Sequence, residues 1–160
     1  MNLISRTVVV VLLSASWAGS SIFAQAKTPP KITAIRAQLF YNGKGTFSDN
    51  ILAQKDIALW NTIIGEGSAG DASTSTLVTV EVSGRNLPVG KTKMQITITG
   101  NRGRIIQRRI VAVDIYDEYT KFFAPIWLYD TGCEPIKISA RLLGGSSAPV
   151  IKTIPFKCGE

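Results

Sequence analysis

Few side chains in this 160-residue chain can do covalent or coordination chemistry: it contains no histidine and two cysteines, Cys133 and Cys158. Without an imidazole, a serine or cysteine nucleophile lacks its usual general base. Two thiols 25 positions apart, with no further soft ligands, do not make a metal centre. Their spacing suits a structural disulfide, and closing that loop stabilises a domain by about 3 kcal/mol. What remains for catalysis is carboxylate chemistry, since paired acids can cleave glycosides. Nothing in the spacing sets two acids opposite one another. The chain is therefore expected not to be an enzyme and to need no cofactor.

Three stretches have the composition of a site. Gly65, Glu66, Gly67, Ser68, Ala69 and Gly70 match the spacing of a dinucleotide fingerprint, with Asp71 directly after them. That fingerprint works when a helix N-terminus follows and faces a pyrophosphate; here residues 71–76 lead into a strand pattern. The stretch reads as a loop, and Gly65, Glu66, Gly67, Ser68, Gly70 and Asp71 form a candidate partner-binding loop. Arg102, Arg104, Arg108 and Arg109 make the densest basic run. Strand geometry turns Arg108 and Arg109 to opposite faces, so Arg102 and Arg104 are the candidate contacts for an anion. With no interleaved aromatic residues, nucleic-acid binding is not expected. Asp114, Tyr116, Asp117, Glu118, Tyr119 and Asp130 could offer oxygens to calcium, but the glycine-punctuated pattern of a calcium loop is missing. The aromatic set Phe122, Phe123, Trp127 and Tyr129 is core and edge packing by default. It becomes a binding face if several rings are exposed together.

The scaffold that must position these residues begins after an export signal. Arg6 precedes a continuous apolar or β-branched run, Thr7 to Leu13, and Ala24-Gln25-Ala26 offers a small-x-small cleavage pattern. Residues 1–26 are thus expected to be a cleaved signal peptide and 27–160 a single domain, secreted or periplasmic, with no membrane anchor after processing. After cleavage, 17 basic against 11 acidic residues leave a net charge of +6. Because these charges are dispersed, they favour solubility over a polyanion partner.

The domain alternates with the period of strands. Residues 31–41, 77–82, 91–99, 104–116 and 121–129 each place apolar side chains on one face. Residues 77–116 are expected to form an antiparallel meander turning at Gly100-Asn101-Arg102-Gly103, with a bulge near Gln107 to Arg109. Pro125 predicts an edge position or a break in the strand. The last two strands pair as a hairpin that sets Ile136 beside Phe156, Ile138 beside Ile154 and Leu142 beside Val150, bringing Cys133 and Cys158 close together. Residues 51–64 fit either a short helix capped by Asp56 or an irregular strand.

About seven strands without a strong helix predict an all-β fold, a single antiparallel β-sandwich. In strand count and patterning over residues 31–158 it resembles the immunoglobulin and fibronectin type III class. It departs from the immunoglobulin pattern in that the disulfide joins the two last strands rather than crossing between sheets. The functional expectation is an exported, non-catalytic binding or structural module that meets another protein through loops or a sheet edge. The alternatives are a small carboxylate-dependent hydrolase, or an anion carrier in which Arg102 and Arg104 converge with Lys91 or Lys93.

Overall fold

A computed structural model describes residues 28–85, 87–116 and 118–159; the expected signal peptide lies outside them. Eight strands occur in chain order: β1 (Thr28–Tyr41), β2 (Thr46–Phe47), β3 (Ser75–Arg85), β4 (Lys93–Thr99), β5 (Ile105–Ala112), β6 (Lys121–Tyr129), β7 (Ile136–Leu143) and β8 (Val150–Ile154). They make two four-stranded antiparallel sheets, ordered β2-β1-β3-β6 and β5-β4-β7-β8. This is the expected all-β sandwich, with the two-residue β2 added. No helix long and apolar enough to cross a membrane occurs among the described residues.

Alternation explains the layering. Val78, Val80 and Val82 of β3, and Met94, Ile96 and Ile98 of β4, are fully buried between the sheets, while their odd-numbered neighbours face outward. β1 packs on β7 and β8 across the interior, so one contiguous core joins both sheets. At roughly 25 cal/mol per Å² of apolar surface removed from water, this shared interior is the main term holding the sheets together.

Three sequence expectations are corrected. The β4–β5 hairpin through Gly100-Asn101-Arg102-Gly103 forms as expected, but β3 does not join it in a meander, because β3 pairs with β1 and β6 while β4 pairs with β5 and β7 in the opposite sheet. Period-two patterning tells which face of a strand is buried but not which sheet the strand joins. The final hairpin is shifted by two residues: Ile136 pairs with Ile154, Ile138 with Lys152 and Ala140 with Val150. A two-residue slip leaves every side chain on its original face, so hydrophobic pattern alone does not detect it. Phe156 leaves the ladder after Pro155 and is still fully buried. Residues 51–64 are neither helix nor strand; they hold turns, one isolated bridge at Trp60 and a single 3-10 turn over Thr62–Ile64.

The bulge falls at Ile106, one residue before the predicted span, because Ile98 pairs with Gln107 and Thr99 with Ile105. Pro125 lies on β6, an edge strand, as expected. Cys133 and Cys158 are joined, tying the β6–β7 connection to the segment after β8. That segment also pairs with the long β2–β3 connection: the Lys157 amide donates to the Leu59 carbonyl and the Asn61 amide to the Lys157 carbonyl, each at 2.8 Å. Ile51, Leu59 and Ala69 then plug this end of the core.

Candidate functional site

The outer face of the first sheet carries the most unusual surface. Strand phase places Phe40 of β1, Leu77 of β3 and both Trp127 and Tyr129 of β6 on it, and register sets Leu77 between Gln38 and Trp127. Phe47 of β2 pairs with Phe40 and completes the row. The rings form one connected cluster. Phe40 lies 5.2 Å from Phe47 and 5.5 Å edge-on to Trp127, Phe47 lies 5.7 Å from Trp127, and Trp127 runs nearly parallel to Tyr129 at 6.4 Å. These separations are those of attractive aromatic pairs. Despite the mutual packing, Phe47, Trp127 and Tyr129 remain 43%, 38% and 68% exposed.

Further along the same face the surface becomes charged. Glu81 on the central strand β3 is buried although its side chain points outward, because its neighbours close over it. Lys121 Nζ contacts Glu81 Oε1 at 2.8 Å and Arg36 Nη2 contacts Oε2 at 3.0 Å. Thr33 Oγ1 donates to Oε1 at 3.0 Å. The hydrogen bond from Lys121 holds the Glu81 carboxyl below its ordinary pKa, against the opposing effect of burial and with help from Thr33 and Arg36. Both carboxylate oxygens are thus occupied, while the two cations stay half exposed. Phe123, also exposed, stands beside Glu81 in the β3–β6 register.

The predicted site residues are distributed differently. The Gly65–Asp71 loop is anchored to its own neighbours. Asn61, in a left-handed conformation with φ 50°, donates from Nδ2 to Glu66 Oε2 at 2.8 Å. Ser68 exchanges two bonds with Ala58, its amide donating to the Ala58 carbonyl and its Oγ accepting from the Ala58 amide. Gly67 has φ 65° and backs onto the Ala58 carbonyl and the Trp60 ring, leaving no room for a Cβ. Ala69 is buried, the Gly70 carbonyl accepts from Lys44, and Asp71 pairs with Lys44 at 3.2 Å. The Asp71 carboxyl is held below its ordinary pKa by the Ala72 amide first and Lys44 second. Gly65 ends the 3-10 turn. The segment is thus held in place by its own neighbours, and no helix follows its dinucleotide-like spacing.

Arg102 sits exposed at the β4–β5 turn, and Arg104 is paired with Glu134. Lys93 starts β4 and lies about 20 Å from that turn by strand rise, so Lys91 and Lys93 do not converge with Arg102 and Arg104. Asp114 accepts from the Gly90 amide, while Asp130 follows β6, at the far end of that strand from Tyr119. Asp117 lies outside the described residues. No group of three or more His, Cys, Asp or Glu side chains is placed to hold a metal among the described residues.

Of the aromatic set named from sequence, Trp127 and Tyr129 belong to the cluster, Phe123 lies on the same face nearer Glu81, and Phe122 turns inward against the core. Phe40 and Phe47 escaped that reading. The available signal was phase: Phe40 follows Arg36 and Gln38 on the polar side of its strand, where an aromatic residue has no core to enter.

No protein-family model and no curated protein sequence matches the chain. Among solved structures, the chain is similar to one described as a "putative beta-galactosidase from bacteroides fragilis". The match has 14% identity and a TM-score of 0.39, and it covers 51% of this chain and 14% of that one.

Proposed function

We propose that this chain is an exported, non-catalytic binding module that engages another protein through the outer face of its first sheet. The observation that carries the reading is the connected, exposed cluster of Phe40, Phe47, Trp127 and Tyr129. Scattered exposed apolar residues are ordinary, whereas a contiguous aromatic patch marks an interaction surface. Aromatic anchors surrounded by polar groups are the usual anatomy of a protein interface, and Gln38, Arg36 and Lys121 supply that rim.

A disulfide agrees with an oxidising compartment and with removal of residues 1–26 as a signal. The order of strands, with β4-β5 and β7-β8 hairpins in one sheet and β1, β3 and β6 in the other, supports the immunoglobulin and fibronectin type III likeness. The hydrolase alternative needs two acids facing across a concave surface. The clefts described in this domain are lined without Asp or Glu, and Glu81, Asp71 and Glu134 are each engaged by a cation.

The reading is tested by placing a photo-crosslinking amino acid at Tyr129 and, as a control, at Thr97 on the outer face of the second sheet, in the native cellular setting. A discrete protein adduct from position 129, absent from position 97 and lost in Trp127→Ala, is the expected result. Equal adducts at both positions, or a glycan adduct at 129, would overturn it.

A further inference from the structure

The sheet edges are unequally protected. The β1 edge is covered around residues 37–41 by β2 and by side chains that imitate a strand: Asn50 Oδ1 accepts from the Ala37 amide at 3.0 Å and Ser48 Oγ from the Leu39 amide at 2.9 Å. β6 carries Pro125 near its middle. β8 has five residues, is bracketed by Pro149 and Pro155, and turns Lys152 to the inner face opposite Ile138. Prolines, short length and inward charges are the devices that keep edges from pairing. β5 has eight residues, no proline and no covering segment among the described residues, and its Ile110 is 61% exposed. Its one inward charge is Arg109, opposite Ile96.

Register identifies the open backbone groups. The Val113 amide donates to the Thr92 carbonyl at 2.9 Å, so Val113 and, by alternation, Val111 and Arg109 bond toward β4. Arg108, Ile110 and Ala112 then direct their amides and carbonyls away from the sheet. We propose that β5 is a self-association edge, at which a second copy of this chain adds its own β5 antiparallel to join two four-stranded sheets into one about a two-fold axis at Ile110.

The strand is complementary to itself. Pairing Ile110 with Ile110 of the second copy sets Arg108 opposite Ala112 and Arg109 opposite Val111, uses all three open residues of each copy, and gives three pairs of two hydrogen bonds. Moving the register by two in one direction places Arg109 opposite Arg109, and by four places Arg108 opposite Arg108; like charges directly opposed are destabilising. In the Ile110 register, Asp114 of the second copy lies diagonal to Arg108 and offers it an opposite charge. Val111 and Arg109 of that copy face the cleft of about 450 Å³ between β5 and β6, whose mostly apolar lining of Val111, Phe122, Ala124 and Pro125 also includes Arg109, diagonal to its counterpart in this register. Two copies thereby satisfy the open groups and cover the apolar wall, an isologous contact of the commonest oligomer type.

The test is sedimentation velocity of the oxidised domain, residues 27–160, over a micromolar concentration series. Twice the monomer mass is expected for the wild type. Ile110→Pro and Ala112→Pro remove amides that bond to nothing within the monomer, so their circular dichroism should match wild type while the dimer is lost. Should the proline variants fail to fold, Ile110→Cys carries the test, because opposed Ile110 positions in a hydrogen-bonded pair sit at about 5.5 Å between Cα atoms, within disulfide reach. A covalent dimer of Ile110→Cys, absent for Lys152→Cys on β8, is expected. A wild type that stays monomeric, a dimer that survives both folded proline variants, or an Ile110→Cys chain that does not cross-link would overturn the proposal. Trp127→Ala should leave the dimer intact, which separates this edge from the aromatic face.

Discussion

Removing the cations that cover Glu81 should cost more than removing Glu81 itself, although each change breaks the same two ion pairs. Glu81 is 4% exposed, whereas the Arg36 and Lys121 side chains keep 52% and 51% of their exposure. In Glu81→Gln the cations left behind remain hydrated, so the loss is that of two partly exposed charge-assisted contacts, about 1–2 kcal/mol. In the Arg36→Met/Lys121→Met double variant the carboxylate is left buried without a counter-charge, which costs about 3–5 kcal/mol unless it takes up a proton. The pH dependence follows from the sign of the shift. In the wild type the folded-state pKa of Glu81 is depressed. Its contribution is therefore complete above the unfolded value of about 4.3 and disappears as pH falls through the folded value. In the double variant burial is opposed only by the smaller effect of the Thr33 hydrogen bond and raises the pKa, so acid relieves the defect. Urea unfolding at pH 7 and at successively lower pH should show the gap between wild type and double variant shrinking with acid, at unchanged m. A Glu81→Gln penalty equal to or larger than the double variant's at pH 7, or a gap that does not respond to pH, would refute the reasoning.

Three further outcomes are expected. Replacing Cys133 and Cys158 by serine reopens a 25-residue loop, which lowers stability by about 3.5 kcal/mol in the chain-entropy model; the urea midpoint of the variant, compared with that of the oxidised wild type, measures it. Asn61→Ala removes a left-handed residue whose side chain bonds Glu66 and the Gly159 amide. It should cost about 2 kcal/mol and increase hydrogen exchange at Gly159 and Glu66 before the sheets respond. Trp127→Ala should lower the unfolding midpoint, because that ring packs on Phe40, Phe47 and Tyr129, yet leave a folded domain that no longer forms the adduct from position 129.

Burial is legible where one residue in two is driven inside. Val78, Val80 and Val82, or Met94, Ile96 and Ile98, state their inner face without any knowledge of partners. Partner choice is a property of the assembled sheets: proximity in sequence puts β3 next to β4, whereas the fold puts it between β1 and β6. The β7–β8 register is hidden for a related reason, since a slip of two changes no side chain's face. The segment around Ile51, Leu59 and Ala69 has no period to detect, because each residue enters the end of the core from an irregular backbone held by Asn61 and the segment after β8. The aromatic face is legible only in part. Trp127 and Tyr129 stand two apart on one strand, but Phe40 and Phe47 reach them only because the sheet order brings β1 and β2 to that surface.

Oxidative footprinting of the domain, alone and within its native extract, tests the central claim with built-in controls. Trp60 and Trp127 are similarly exposed, at 43% and 38%, and Tyr119 and Tyr129 at 60% and 68%. The account predicts that the native extract shields Trp127 and Tyr129 from oxidation and leaves Trp60 and Tyr119 as reactive as in the isolated domain. Shielding of Trp60 with Trp127 unaffected would contradict it, placing the contact on the capped end of the sandwich instead of its aromatic face.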